Sequence, residues 1–216
     1  MKFERGDHVC ALYSTTAERA REVARFLADG LRRGERCWYV AAGDESGSVG
    51  LALEQLGVDA AEQTRRSALR LLSREGAYAA HGHFNPESTL ALFNDAIEQA
   101  YTDGFTGFRA AADMSWVLDC EDGAHQVIVY EALLKTLFAN CRAIGLCLYD
   151  RTRMPLPVLN GVLHTHPVAG VGGHYIDNPF YDPHVRAMVA ASDEAVLGRL
   201  ARLDAGANPS PTSRER

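Results

Sequence analysis

Two short apolar stretches without polar–apolar alternation constrain the fold more than any other feature of this sequence. Residues 37–42 read CWYVAA and residues 144–149 read IGLCLY. A strand that is covered on both faces carries such an uninterrupted apolar run. A strand with one face exposed to solvent instead alternates between apolar and polar residues. Runs of this kind are interleaved with helical patterns, and this order predicts an α/β fold with a mostly parallel sheet flanked by helices.

The same patterns give boundaries for the individual elements. Strands are predicted over His8–Tyr13, Cys37–Ala42, Leu69–Ser73, Gly107–Asp113, Ala143–Asp150 and Val168–Val171. Helices are predicted over Ala17–Leu31, Ser46–Leu56, Pro86–Tyr101, Gln126–Asn140 and Pro183–Leu203. The third helix starts with Asn85 as its N-cap and Pro86 in its first turn.

These elements divide the chain into three parts. Residues 1–182 are expected to form one domain, followed by a C-terminal helix over 183–203. The apolar residues of that helix either pack on the domain or form a docking surface for a partner; they are Met188, Val189, Val196 and Leu200. Residues 204–216 hold no large apolar side chain, so we expect a disordered tail.

The junction between the first strand and the first helix lacks a phosphate-binding loop. It reads Ser14-Thr15-Thr16, with neither the glycines nor the lysine of the Walker A motif. Residues of these types are the usual helix N-caps, although a helix N-terminus also attracts anions. The absence of the motif favours a binding or sensing module over a nucleotide-hydrolysing enzyme.

Charge and cysteine usage narrow the function further. The net charge of -6 argues against a nucleic-acid surface, which would be basic. The polar N-terminus does not resemble a signal peptide, and no apolar run is long enough to span a membrane. The five cysteines are odd in number and without C-x-x-C spacing, which favours reduced thiols in a cytoplasmic protein.

Several motifs, taken in order, resemble the MEDS family of sensory domains. They are GDHVCALY at 6–13, GFTGFR at 104–109, DMSW at 113–116, YE at 130–131, CLYD at 147–150, LHTHP at 163–167 and NPFY at 178–181. The resemblance implies a RecA/KaiC-like fold without a Walker A loop. It also implies a sensory role, with small hydrocarbon derivatives as ligands and with histidine kinases, anti-sigma-type regulators or transcription regulators as outputs. No segment of this sequence resembles such an output domain, so signalling through a protein partner, or through a second copy of the chain, is expected.

His8 and Cys10 are candidate metal ligands. They lie two residues apart on a predicted strand, so that their side chains share one face. Imidazole and thiolate together suit zinc or another soft metal. Further ligands would come from His81, Cys147, His164 or His166, and His166 is the preferred third candidate. The alternative is that Cys10 is a core thiol and His8 a hydrogen-bonded residue at the strand end.

A second candidate group is charged. Arg109 and Asp113 lie four residues apart in a predicted strand and point to the same side. We expect them to pair in an apolar setting, with Glu131 completing the set, either as a ligand site or as a structural ion pair.

Four aromatic side chains are candidates for the wall of an apolar pocket, with packing in the core as the alternative; they are Tyr13, Phe108, Trp116 and Tyr149. The histidine pair His81 and His83 is a further candidate, with solvated loop residues as the alternative. No nucleophile–base motif occurs, so no enzymatic activity is expected.

The sequence therefore predicts a sensory domain that binds a small ligand at the carboxyl ends of its strands. The pocket is expected to bring together His8, Cys10, Tyr13, Arg109, Asp113 and the loop from His164 to His166. One alternative is a metal- or redox-responsive sensor built on His8, Cys10 and a later histidine. Another is a degenerate ATPase that retains nucleotide binding.

Overall fold

The computed structural model describes residues 2–43, 46–77, 84–119, 123–185 and 191–207. Within them one sheet contains seven strands. They are β1 (His8–Tyr13), β2 (Arg36–Val40), β3 (Leu69–Leu72), β4 (Phe108–Asp113), β5 (Ala143–Asp150), β6 (Val168–Val171) and β7 (His174–Asp177). The six predicted strands are confirmed to within two residues at each end, whereas β7 was not predicted.

The strands are arranged in the order β3-β2-β4-β5-β1-β6-β7. All neighbours run parallel except β6 and β7, which form an antiparallel hairpin. The central strands β1, β4 and β5 are buried along their whole length. This confirms the predicted mostly parallel sheet, whose middle strands are covered on both faces.

Helices flank this sheet on both sides. They are α1 (Thr16–Arg32), α2 (Ser46–Gln55), α3 (Ala60–Arg65), α4 (Arg74–Ala77), α5 (Pro86–Thr102), α6 (Gly123–Ala139), α7 (Leu156–Thr165) and α8 (Asp193–Ala207). A 3₁₀ helix follows β4 at Met114–Asp119. Neither this turn nor α3, α4 and α7 was predicted. In the part of the chain that the structure describes, no helix has the length and apolar character to cross a membrane.

The junction between β1 and α1 is closed by side-chain caps. Thr15 is the N-cap, and its hydroxyl accepts the backbone N–H of Glu18 at 3.1 Å. The Glu18 carboxylate in turn accepts the backbone N–H of Ser14 at 2.8 Å. This arrangement resembles a capping box in which the backbone N–H that donates to Glu18 belongs to Ser14, one residue before the N-cap. Thr15 therefore has the capping role expected from the sequence.

Alternate residues of each strand serve two separate cores. On β1, Val9, Ala11 and Tyr13 face the side covered by α1 and α2, whereas Cys10 and Leu12 face the opposite side. That opposite side is covered by α5, α6, α7 and α8. The alternation decides where each candidate functional residue lies, because neighbours along a strand point into different cores.

The terminal helix differs from its predicted form. It begins at Asp193 rather than Pro183, and Val196 and Leu200 are buried in the core, so they are not docking anchors. Leu197, between them, is 54% exposed. Met188 and Val189 lie outside the described residues.

The predicted start of a disordered tail at residue 204 is wrong. The helix α8 continues to Ala207, which is buried. Asp204 binds Arg151 through two hydrogen bonds of 2.6 and 2.8 Å, because the helix turns its carboxylate toward the end of β5. Residues 208–216 lie outside the described part of the chain.

Candidate functional site

Four buried side chains of metal-binding type converge between the sheet and the helix α6. They are His8 at the start of β1, Glu131 in α6, Cys147 in β5 and His166 just before β6. One ligand atom from each lies within 4.8 Å of all the others, and every one of the four residues is buried. We call this group the quartet.

Four of the distances between ligand atoms of the quartet are close to those of a coordination shell. Oε2 of Glu131 lies 3.0 Å from Nε2 of His8 and 3.3 Å from Nε2 of His166. Sγ of Cys147 lies 3.5 Å from Oε2 of Glu131 and 3.5 Å from Nε2 of His8. Ligand atoms placed tetrahedrally around zinc at its usual bond lengths are separated by about 3.3 to 3.6 Å. The distances of 3.3 and 3.5 Å fall in this range, and the distance of 3.0 Å between Glu131 and His8 is shorter.

Two hydrogen bonds outside the quartet orient its members. The Tyr149 hydroxyl donates to Oε1 of Glu131 at 2.5 Å, leaving Oε2 for the other three residues. Nδ1 of His166 lies 2.7 Å from the carbonyl oxygen of Val162, which assigns a proton to Nδ1, and Nε2 of the same ring faces Glu131. Histidines that bind metals are commonly held in this way. Nδ1 of His8 has no such partner among the described residues.

The pKa values of three members of the quartet are shifted by burial and by the charges of their neighbours. Burial and the neighbouring His166 ring lower the pKa of His8 to about 4, against the opposing effect of Glu131. Burial disfavours a charged Glu131, but His166 and His8 outweigh that cost and hold the pKa of its carboxyl well below the usual range. Burial and the Glu131 carboxylate raise the pKa of the Cys147 thiol. A cation bound here would stabilise the thiolate and displace its proton.

Cys10, a predicted ligand, stands beside the quartet and does not belong to it. Its register partner on the neighbouring strand β5 is Cys147, and both thiols are buried and unbridged. Burial also raises the pKa of Cys10. The sequence pattern places His8 and Cys10 on one face, but it is the strand pairing that makes Cys147 the thiol in contact with His8.

A separate cavity of about 210 Å³ lies at the carboxyl ends of the strands. Arg19 of α1 and Tyr13 line this cavity. Arg19 forms an ion pair with Asp113, buried behind them at the end of β4, and the Tyr13 hydroxyl donates to the same carboxylate at 3.2 Å. The backbone N–H of Ser115 donates to Asp113 at 2.9 Å. Trp116 forms a wall of the cavity.

The structure separates Arg109 from Asp113, and the predicted pair is wrong. Residues four apart in a strand point to one side but are about 13 Å apart, too far for contact. Arg109 instead binds Glu35 at 2.7 Å and Asp29 at 3.1 Å, near the amino end of β4. Glu131 cannot complete their set, because it lies on the opposite side of the sheet in the quartet.

His164 also lies outside the quartet. Its Nε2 is 3.0 Å from Nη1 of Arg199 in α8, and burial followed by the Arg199 charge lowers its pKa. His81 and His83 lie outside the described residues. The single pocket predicted from the sequence is thus divided among four places: the quartet with Cys10 beside it, the cavity at the carboxyl ends, the surroundings of Arg109, and the contact of His164 with Arg199.

Other residues of the carboxyl-end cavity escaped the sequence interpretation. Arg19 looks like any charged residue of an amphipathic helix, and Arg153 follows the end of β5 outside any motif. Asp150 lies in the CLYD motif at 147–150, but the sequence did not mark it as a site residue. Pairing with Asp113 is a property of the folded chain, so local pattern gave no signal for it.

Comparison with known proteins agrees with this architecture. The model of the MEDS family, the MEthanogen/methylotroph, DcmR Sensory domain, matches residues 7–167. A crystal structure of a KaiC-like protein from the hyperthermophilic archaeon Pyrococcus horikoshii OT3 is similar with a TM-score of 0.58 and 12% identity, over 78% of this chain and 72% of that one. At this identity the likeness concerns the fold alone. A search of curated proteins found no match.

Proposed function

Because this chain belongs to the MEDS family of sensory domains, we propose that it is a sensor whose responsive element is a metal ion held by the quartet. One observation carries this proposal. Four side chains of metal-binding type present their ligand atoms within 4.8 Å of one another in a buried site. Burial of ionisable groups lowers the stability of the folded state unless the groups are paired or coordinate a metal, and metal coordination would account for all four buried side chains together.

The ligand set favours zinc. Two imidazoles, a thiolate and a carboxylate form a borderline-soft, four-coordinate set, which suits Zn²⁺ better than Mg²⁺ or Ca²⁺. All four tetrahedral positions would be filled by protein atoms, whereas catalytic zinc sites keep one position for water or substrate. The proposed role is therefore binding and regulation without catalysis.

Metal titration tests the proposal directly. Chelator-treated protein is titrated with Co²⁺, whose visible spectrum reports tetrahedral geometry and thiolate coordination, and then with Zn²⁺ as a competitor. We expect one metal per chain in the wild type. Cys147→Ser should abolish the thiolate-to-cobalt band, and His166→Gln should weaken binding.

The neighbouring thiol provides the matched control. Cys10→Ser changes a buried cysteine in register with Cys147 but outside the quartet, so it should bind cobalt like the wild type. Failure of the wild-type protein to take up either metal would contradict the proposal. Equal loss in the Cys10 and Cys147 variants would do so as well, since it would show a general packing effect.

A second candidate is the binding of a small hydrocarbon derivative in the carboxyl-end cavity. Its support is the position of Tyr13 and Trp116 around a cavity of about 210 Å³, below the usual volume for drug-sized ligands. In a Trp38→Phe variant, Trp116 is the only tryptophan left to report binding. A panel of short-chain alcohols and halomethanes should shift its emission if this cavity is the sensor, and leave it unchanged if it is not.

The output is proposed from the sensory character of the family. We infer a cytoplasmic protein partner such as a histidine kinase, an anti-sigma-type regulator or a transcription regulator, with a homodimer as the alternative. The four free cysteines among the described residues accord with a reducing compartment. Sedimentation of the metal-loaded and metal-free protein, alone and with a candidate kinase, should show a change of assembly that depends on the metal.

A further inference from the structure

A cleft of about 260 Å³ lies on the side of the sheet opposite the quartet, between α1, β7 and the amino end of β4. It contains a fully buried cation, Arg109, whose Nη2 has no hydrogen-bond partner among the described residues. The walls include Phe3, Phe26 and Tyr175. We call this the Arg109 cleft, and neither the quartet nor the carboxyl-end cavity contributes to it.

The guanidinium of Arg109 is held firmly in one orientation. Its Nε donates to Glu35 at 2.7 Å, and its Nη1 donates to the carbonyl oxygen of Phe26 at 2.9 Å and to Asp29 at 3.1 Å. The group also lies over the Phe26 ring, 4.7 Å from the ring centroid. Because Nε and Nη1 already donate hydrogen bonds, Nη2 is the guanidinium nitrogen whose N–H groups remain for a further acceptor.

Positive charge exceeds negative charge around this cleft. Three more cations, Lys2, Arg25 and Arg33, line it together with Arg109, against the carboxylates of Glu22 and Asp29. Counting Glu35 beneath Arg109 still leaves one positive charge in excess. A concave site with net positive charge and low-dielectric walls concentrates anions.

Aromatic rings form the apolar wall of the cleft. The ring of Phe3 meets the rings of Phe26 and Tyr175 edge to face, with centroids 5.7 and 4.9 Å away. Such walls bury an apolar body, whereas an inorganic anion needs only the cations and surrounding N–H groups. The combination favours an organic anion over phosphate or sulfate.

We propose that the Arg109 cleft binds a small organic carboxylate, with its head group at Nη2 of Arg109 and its apolar body against Phe3, Phe26 and Tyr175. Arg25 and Arg33 at the rim would add attraction without direct contact to the apolar body. This site does not depend on metal binding by the quartet, and the two are tested separately.

Calorimetric titration with benzoate tests the proposal, with benzamide as a neutral molecule of nearly the same shape. We expect benzoate to bind and benzamide to bind at least about tenfold more weakly, because a charge-assisted hydrogen bond is lost. Inorganic phosphate should also bind more weakly than benzoate. Equal affinity for benzamide would overturn the role of Arg109, and equal affinity for phosphate would overturn the role of the rings.

Two arginine variants on one helix localise the site. Arg25→Gln removes a rim cation and should weaken benzoate about two- to fivefold, whereas Arg21→Gln, at an exposed position of α1 that does not line the cleft, should not. Arg109→Lys keeps the charge but loses the fork, and we expect at least about a tenfold loss. If the Arg109→Lys variant does not fold, comparison of Arg25→Gln with Arg21→Gln still tests whether benzoate binds in this cleft. Identical binding by the wild type and Arg25→Gln, or no benzoate binding at all, would overturn the proposal.

Discussion

The hydroxyl of Tyr149 donates a hydrogen bond of 2.5 Å to Oε1 of Glu131, and both side chains are fully buried. Tyr39, equally buried on the other side of the sheet, has a hydroxyl with no hydrogen-bond partner among the described residues. Both tyrosines are fully buried in the sheet, but only the hydroxyl of Tyr149 is hydrogen-bonded to a described residue, so the two form a useful pair for mutation.

Tyr149→Phe is expected to lower the free energy of unfolding by about 1.5 to 3 kcal/mol, the usual weight of a hydrogen bond to a charged group. Tyr39→Phe should be neutral or slightly stabilising, because it removes a buried hydroxyl that forms no hydrogen bond with any described residue. Urea denaturation of metal-free protein measures both. Equal losses would show that the Tyr149 bond adds nothing to the quartet.

Glu22 should make the protein less stable as the pH rises. Burial raises the pKa of this carboxyl, although the Tyr175 hydroxyl bonded to it opposes the shift. The folded state therefore binds more protons than the unfolded state between the unfolded and folded pKa values, and stability falls as the pH passes upward through that window.

Glu22→Gln should accordingly raise the free energy of unfolding at pH 7 by about 0.5 to 1 kcal/mol. The gain should shrink as the pH approaches 4, where the native carboxyl is protonated and resembles the amide. Glu98→Gln, at an exposed position of α5, is the control and should show no comparable pH-dependent gain. A constant gain at every pH would point to packing instead of ionisation.

Mg-ATP is not expected to bind. Tyr13, Thr16 and Arg19 line the carboxyl-end cavity where β1 passes into α1, and Arg19 is held there by its ion pair with Asp113. No glycine-rich loop supplies backbone N–H groups there. Calorimetry with millimolar Mg-ATP should give no heat beyond dilution. Micromolar affinity would revive the degenerate-ATPase alternative.

Two leucines of α8 test the packing of the terminal helix. Leu200 is 5% exposed and belongs to the core, whereas Leu197 is 54% exposed on the same helix. Leu200→Asp should cost about 3 kcal/mol or more, since it buries an unpaired charge, and Leu197→Asp should stay within about 0.5 kcal/mol. If both variants were equally harmless, α8 would not be docked as described.

The sequence predicted the sheet well because its strands are buried on both faces and carry their own signal. The edge strand β7 was missed, since its side chains are half-buried or exposed and give no apolar run. The helix α7 was missed as well, because its N-cap is Pro155, which makes no side-chain capping hydrogen bond. These two elements are stabilised by tertiary packing and carry no local sequence signal, so the residue pattern alone does not predict them.

The candidate site was accessible from the sequence only in part. The positions of His8 and His166 were singled out, but Cys10 was preferred to Cys147 because spacing along one strand is visible and pairing between strands is not. Glu131 was placed with Arg109 and Asp113, since nothing in the sequence tells which side of the sheet a helix covers. Register and layer order are properties of the whole fold.

The quartet also bears on when a metal could be acquired during folding. His8 belongs to the first strand and His166 precedes the sixth, so their contact closes most of the chain into one loop. Long-range contacts of this kind carry a loop-closure cost that local helices and hairpins do not. A chain still emerging from the ribosome, before residue 166 is available, offers an incomplete ligand set. Loading would then follow assembly of the sheet, so that a bound ion marks a finished domain.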